Sequence, residues 1–191
     1  SCGGVDISVD ASGWIHLSYN DLTNDVVKYA GNKSGTWATE TVGTFGNEDS
    51  ETAVSVDSSG GAHVFYYVDT CEGTVDYFYH WLSLKRAHKS NGIWEAEVIH
   101  SDEFNSSSSE TSLFLSSEVD TTDTLHVAYG YNALYYAKSD GSGAWSHTTL
   151  PTIRTENGDW YNTSTAGSFC SLGIDSLDRV HISHSWGNNS E

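Results

Sequence analysis

Aliphatic and aromatic residues alternate with polar ones in short runs, and the runs recur. Val9-Asp10-Ala11-Ser12-Gly13-Trp14-Ile15-His16-Leu17-Ser18-Tyr19 is the first copy of a pattern that returns at residues 56–66, 119–129 and 174–184. Each copy reads aliphatic-Asp, a turn, His, aliphatic, any residue, aromatic; His184 takes the aromatic place in the last. Alternation at period two, bounded by Gly, Asn, Asp and Ser, predicts β-strands joined by tight turns. No segment carries a helical period. Strand A of the first unit is expected over Asp6–Asp10, and strand B carries Ile15, Leu17 and Tyr19.

The repeat extends further. A second short apolar run follows each His stretch, at Val26–Ala30, Leu84–Ala87 and Leu134–Lys138. A Gly turn and a Trp come next, at Trp37, Trp94 and Trp145, each opening another alternating run. From the strand-ending Ala to the Trp is seven residues, seven, then eight. Each unit therefore reads as four strands, A to D. The repeated His residues lie 47, 63 and 55 residues apart. Periods of this size with four strands per unit predict a β-propeller. The expected fold is all-β, a β-propeller of four-stranded antiparallel blades, about three and a half blades in this chain. Blade 1 covers residues 3–50, blade 2 51–109, blade 3 110–166, and partial blade 4 167–191. Longer intervals reflect insertions at 69–81, expected as a loop between strands B and C, and at 101–110 and 152–166, expected as loops between blades.

Written as V-D-x-x-G-x-x-H-aliphatic-x-Y, then L-x-Y-A, then G-x-W, the repeat resembles the blades of secreted microbial propellers of the BNR/sialidase-like group. It is similar to blades of ulvan-lyase-like polysaccharide lyases as well. The resemblance covers nearly the whole chain and rests on repeat residues, so it implies the fold and an extracellular or cell-surface setting rather than an activity. The sialidase Asp-box S-x-D-x-G-x-T-W is not intact: in Asn32-Lys33-Ser34-Gly35-Thr36-Trp37 the Gly falls one position late. Sialidase catalytic residues are therefore not carried over.

Charge narrows the partners. With 26 Asp+Glu against 8 Lys+Arg and a net charge of −18, the chain lacks the basic footprint that phosphate backbones require, which excludes nucleic acid. No apolar run reaches the ~18 residues of a transmembrane helix. The 191 residues contain no Met, as expected of a mature or excised segment. Sequons at Asn32, Asn105, Asn162 and Asn188 agree with secretion. Cys2, Cys71 and Cys170 form no CxxC pair, so no zinc motif is present. A Cys2–Cys170 bond would latch a ring that closes after the fourth unit, and Cys71 would pair between chains.

The candidate chemistry divides between repeated and inserted residues. Asp10, Asp57, Asp120 and Asp175, with His16, His63, His126 and His181, occur once per unit. They are expected to build blades, each His bonding its turn Asp or a backbone group. Trp37, Trp94 and Trp145 are expected to pack in the core or between blades. Ligand contact is expected of the insertions, through Tyr77, Tyr79, His80, Trp81, Arg154, Asp159, Trp160 and Tyr161. Aromatic rings stack on the CH faces of pyranoses and carboxylates bond their hydroxyls. Asp21 and Asp25 in the first B–C loop, with Asp69, Glu72 and Asp76 in the second, are hard oxygen donors suited to Ca²⁺. The leading reading is an extracellular recognition module that binds a glycan or a cell-surface or matrix component. The alternative is a structural or adhesive protein that self-associates to complete the propeller. A third is a polysaccharide lyase or glycosidase fragment, with His80 beside Tyr77 or Tyr79, or His100 beside Arg154, as base and charge neutraliser. Binding is favoured over catalysis.

Overall fold

The computed structural model describes residues 2–33, 35–46, 51–74, 77–106, 113–130, 133–150 and 166–186; for 2, 3, 74, 77, 78, 105, 106, 166–169, 185 and 186 it describes the backbone alone. Among the described residues there is no helix, and fourteen strands form four sheets. By internal packing they fall into two compact units, 1–112 and 113–191.

The first unit holds two four-stranded sheets. One comprises β1 (Cys2–Val9), β2 (Ile15–Asp21), β3 (Val26–Gly31) and β4 (Ala38–Thr44); the other comprises β5 (Thr52–Val56), β6 (Ala62–Thr74), β7 (Tyr77–Ser90) and β8 (Ile93–Ser106). Both are antiparallel meanders in chain order. The second unit holds a meander of the same kind, β9 (Phe114–Val119), β10 (Leu125–Gly130), β11 (Leu134–Ser139) and β12 (Trp145–Thr149), and a hairpin, β13 (Ala166–Ile174) with β14 (Val180–Trp186). Strands A to D of the sequence pattern are these strands.

One turn recurs between strands A and B for one reason. Asp10 Oδ1 accepts the backbone N–H groups of Ser12 and Trp14, and Asp57, Asp120 and Asp175 do the same two and four residues on. The third residue after each Asp has a left-handed backbone: Gly13, Gly60, Asp123 and Asp178, at φ of 80, 79, 61 and 56°. Gly enters that region without penalty and Asp more readily than most residues, which explains both choices. The other oxygen, Oδ2, faces the strand-B His. It lies 3.1 Å from Nε2 of His63, His126 and His181, and 3.5 Å from that of His16. An ionised carboxylate only accepts, so Nε2 carries the proton and Nδ1 is left as an acceptor. Tyr29 and Tyr136 hydroxyls meet Nδ1 of His16 and His126 at 2.7 and 2.6 Å; in the second sheet Arg86 does so, from Nε at 3.3 Å. In the second and third sheets one chain of hydrogen bonds thereby ties the turn, strand B and strand C; in the first, the His16–Asp10 link is a longer charge contact.

Neighbouring sheets within a unit share a core and a polar clasp. Val27, Val42 and Phe45 of the first sheet pack with Val54, Val64, Tyr66 and Ala87 of the second. The Asp6 carboxylate accepts Val54 N–H at 2.8 Å, and in the second unit Ser116 Oγ accepts Leu172 N–H at 3.0 Å. Asp6 and Ser116 hold the same place, four residues before their turn Asp. Val54 is 2% exposed, whereas Val5, Ile7 and Val9 on β1 are 68, 60 and 59% exposed.

Two expectations are corrected. Residues 69–74 and 77–81 are strand rather than loop. β6 and β7 run on as a long hairpin with Cys71 opposite His80 and Asp69 opposite Leu82. The start of the second insertion joins it, because β8 continues to Ser106 with Phe104 opposite His80. Thr, Tyr, Phe and Trp dominate this stretch and favour pleated pairing over an irregular excursion. Trp37 is 54% exposed rather than packed. Its counterpart Trp94 packs on Tyr29 of the preceding sheet, and the first sheet has no such neighbour among the described residues of its unit. Cys170 Sγ donates to Ala128 O at 3.6 Å; the expected bond to Cys2 falls on a side chain outside the described residues.

Candidate functional site

In the first unit a cleft of about 370 Å³ opens where β3 and β4 of one sheet meet β8 of the next. Its floor and walls come from repeat positions. Tyr29 is on strand C, Glu40 on strand D, and Trp94 opens strand D of the following sheet. Lys89, near the end of β7, completes it, with His16 behind Tyr29. The rings of Tyr29 and Trp94 lie 5.2 Å apart at 57°, forming an open aromatic corner. Glu40 binds both polar groups beside that corner. Trp94 Nε1–H donates to its Oε2 at 2.9 Å, and Lys89 Nζ donates to Oε1 at 2.7 Å. The two partners come from sequence positions 54 and 49 residues away.

The electrostatics follow from these contacts. The Lys89 bond holds the Glu40 carboxyl below its ordinary range, against the opposing effect of burial and with help from Trp94. Burial pushes the Tyr29 phenol up, and the charges of Glu40 and Asp10 add to it, so the hydroxyl stays neutral. Glu40 and Lys89 side chains are 35 and 37% exposed. A carboxylate has about four lone-pair directions and an ammonium three protons, so both retain capacity toward a ligand hydroxyl. Apolar walls with a few convergent polar groups are the general form of a small-molecule site.

The inserted residues are arranged differently from the sequence expectation. Strand alternation sends Tyr79 and Trp81 to one face of β7 and His80 to the other. Tyr79 and Trp81 are 52 and 40% exposed, and Glu72 and Glu103 are their cross-strand partners. His80 is buried, with Nδ1 3.1 Å from Asp69 Oδ2; both side chains are fully enclosed. The structure thus separates His80 from Tyr79 and Trp81, and removes Asp69 from the proposed calcium ligands. Asp21 is engaged in its own turn, accepting Thr23 N–H and the Asn24 amide. Asp25 is exposed in that turn, at φ 53°, and Glu72 lies on the hairpin face opposite Asp69. Among the described residues no group of three His, Cys, Asp or Glu is placed to hold a metal. Asp76, Arg154, Asp159, Trp160 and Tyr161 lie outside the described residues, as does the side chain of Tyr77.

Sequence reasoning passed over the cleft because Trp94 and His16 are repeat residues and read as structural. A signal was present. Glu40 and Glu97 each stand three residues after their Trp, an acidic side chain at a fixed place on strand D. In the second sheet Glu97 accepts Arg86 Nη1–H at 2.7 Å, continuing the Arg86–His63–Asp57 chain.

No protein-family model matches the chain, and no curated protein does. Solved structures match it in fold. AofleA from Arthrobotrys oligospora aligns at 13% identity with a TM-score of 0.53, over 94% of this chain and 48% of that one. The SapL1 lectin, in complex with alpha methyl fucoside, aligns at 13% identity with a TM-score of 0.57, over 94% of this chain and 53% of that one. The chain spans about half the length of either. Together with the repeated antiparallel meanders, these matches make the fold a β-propeller. Among the described residues no helix is long and apolar enough to cross a membrane.

Proposed function

We propose that the chain is an extracellular or cell-surface carbohydrate-recognition module, and that one sugar unit of a glycan binds in the cleft formed by Tyr29, Glu40, Lys89 and Trp94. The observation that carries this reading is the aromatic corner with a carboxylate–ammonium pair at its edge. A pyranose offers an apolar CH face and a rim of hydroxyls. The first suits the rings of Trp94 and Tyr29; the second suits Glu40 as acceptor and Lys89 as donor. The alpha methyl fucoside held by SapL1 makes a 6-deoxy sugar the first ligand to try, since its methyl group adds apolar surface for the rings to cover.

Calorimetric titration with methyl α-fucoside, methyl α-galactoside and methyl α-mannoside tests the reading. Trp94→Ala and Glu40→Gln are expected to weaken binding by about tenfold or more, the loss of one well-made polar or stacking contact. Tyr79→Ala and Trp81→Ala are expected to leave it unchanged. Loss in the second pair and none in the first moves the site to the outer face of the hairpin. No binding by the intact protein across a glycan array refutes the proposal.

A second reading, self-association through sheet stacking, is favoured by the uncovered Val5, Ile7 and Val9 on β1. The occupant in that reading is a second copy. Sedimentation of the intact protein beside Ile7→Glu decides it: a dimer lost on substitution supports it, and a monomer at all concentrations ends it.

A further inference from the structure

We propose that Cys71 is a nucleophilic thiol, with His80 as its general base and Asp69 as the residue that positions His80, and that it exchanges with an external disulfide to form a covalent link. The three side chains share one face of the long hairpin. Asp69 and Cys71 are two apart on β6, and His80 is the cross-strand partner of Cys71 on β7. His80 Nδ1 lies 3.1 and 3.2 Å from the two Asp69 oxygens, and Nε2 lies 3.8 Å from Cys71 Sγ.

The donor and acceptor roles follow from the carboxylate. Asp69 only accepts, so the His80 proton sits on Nδ1 and the Nε2 lone pair meets the thiol. This is the order of a nucleophile, a base and an orienting acid. Phe104 lies flat on the imidazole, ring centroids 4.8 Å apart at 3°, and fixes its plane. The dyad is enclosed, whereas Cys71 is exposed, so an external reagent reaches sulfur without disturbing the base. Enclosing an ionisable pair costs desolvation that an apolar pair would avoid, and here the pair sets His80 Nε2 against a thiol. Asp69 and Asp102 share that face; Glu72 and Glu103 lie on the other. Burial and the Asp69 charge push the Cys71 thiol up, so it keeps its proton at rest and needs a base at the moment of attack.

The step balances as an exchange. The Cys71 S–H proton passes to His80 Nε2 as Sγ attacks one sulfur of R–S–S–R. The Cys71–S–S–R bond forms, the original S–S bond breaks, and the departing R–S⁻ takes the proton back as R–SH. One disulfide is consumed and one is made.

The test measures reaction of the intact protein with a small aromatic disulfide whose leaving thiolate absorbs visible light, at pH 6 and pH 9, with peptide mapping of the adduct. An ordinary thiol, with pKa about 8.5, is almost wholly protonated at pH 6. Cys71 is expected to react at pH 6 about tenfold or more faster than in His80→Gln, and comparably at pH 9, where thiols ionise unaided. Asp69→Asn is expected to slow the reaction at pH 6 and not at pH 9, a split that loss of structure would not give. The wild-type rate at pH 6 should also show a normal solvent deuterium isotope effect, a readout that needs no variant. Matching pH profiles in wild type and His80→Gln, no isotope effect, or label on another cysteine with Cys71 unmodified overturns the proposal.

Discussion

Acidification should destabilise the second sheet through His63 before any turn carboxylate is lost. His63 is 8% exposed; its Nε2 donates to Asp57, and its Nδ1 accepts from Arg86. Protonating Nδ1 would break the Arg86 bonds and set a second cation beside the guanidinium. Burial first, and Arg86 next, hold the pKa down to about 4 from the usual 6.5, with Asp57 opposing. The folded pKa lies below the unfolded one, so the unfolded chain takes up the proton first. Stability is then full above about pH 6.5, falls as pH drops toward 4, and levels off below. At about 1.4 kcal/mol per pH unit the loss approaches about 3 kcal/mol, an upper figure. For a chain of this size that corresponds to roughly 6–12 °C in Tm. The turn carboxylates act elsewhere. Asp10, Asp57, Asp120 and Asp175 are held below their ordinary range, so what they contribute is present above pH 3.8 and is lost only as pH falls further. Asp6, raised by burial, acts with the opposite sign but equally in wild type and variant. The assay is thermal unfolding by near-ultraviolet circular dichroism at pH 7, 6, 5 and 4.5, wild type beside His63→Gln. The gap between them should change by most of that range. Parallel curves, or an NMR titration of His63 near 6.5, would refute the reasoning.

Other outcomes follow from single contacts. Asp120→Ala should cost about 2–4 kcal/mol in chemical denaturation. It leaves the Thr122 and Thr124 backbone N–H groups without their acceptor and His126 without its carboxylate, whereas Asp120→Asn should cost less because the amide oxygen still accepts. Gly46→Ala should destabilise by about 1–3 kcal/mol or more, because a Cβ there would collide with the Asp69 backbone carbonyl; a neutral effect would mean that the base of the hairpin yields. Val64→Ala, at a fully buried position of the shared core, should cost about 2–4 kcal/mol and leave the sugar affinity of the intact fold unchanged; isothermal titration below the melting point checks the second half.

What the sequence determined by itself was the blade. A turn Asp, a left-handed residue three places on, and a His at the start of strand B are local devices that recur within eleven residues, so their spacing can be read directly. The period-two pattern fixed the strands for the same reason. Strand alternation also sorts Tyr79 and Trp81 from His80, yet the insertion reads as a loop until β8 is seen to run alongside it. The site needed the tertiary structure. Glu40 meets Lys89 and Trp94 across about fifty residues and two sheets, and each looks in the sequence like a solvated charge or a packing residue. Whether a repeat Trp is covered, as Trp94 is by Tyr29, or bare, as Trp37 is, depends on the sheet stacked beside it, and stacking leaves no trace in local spacing.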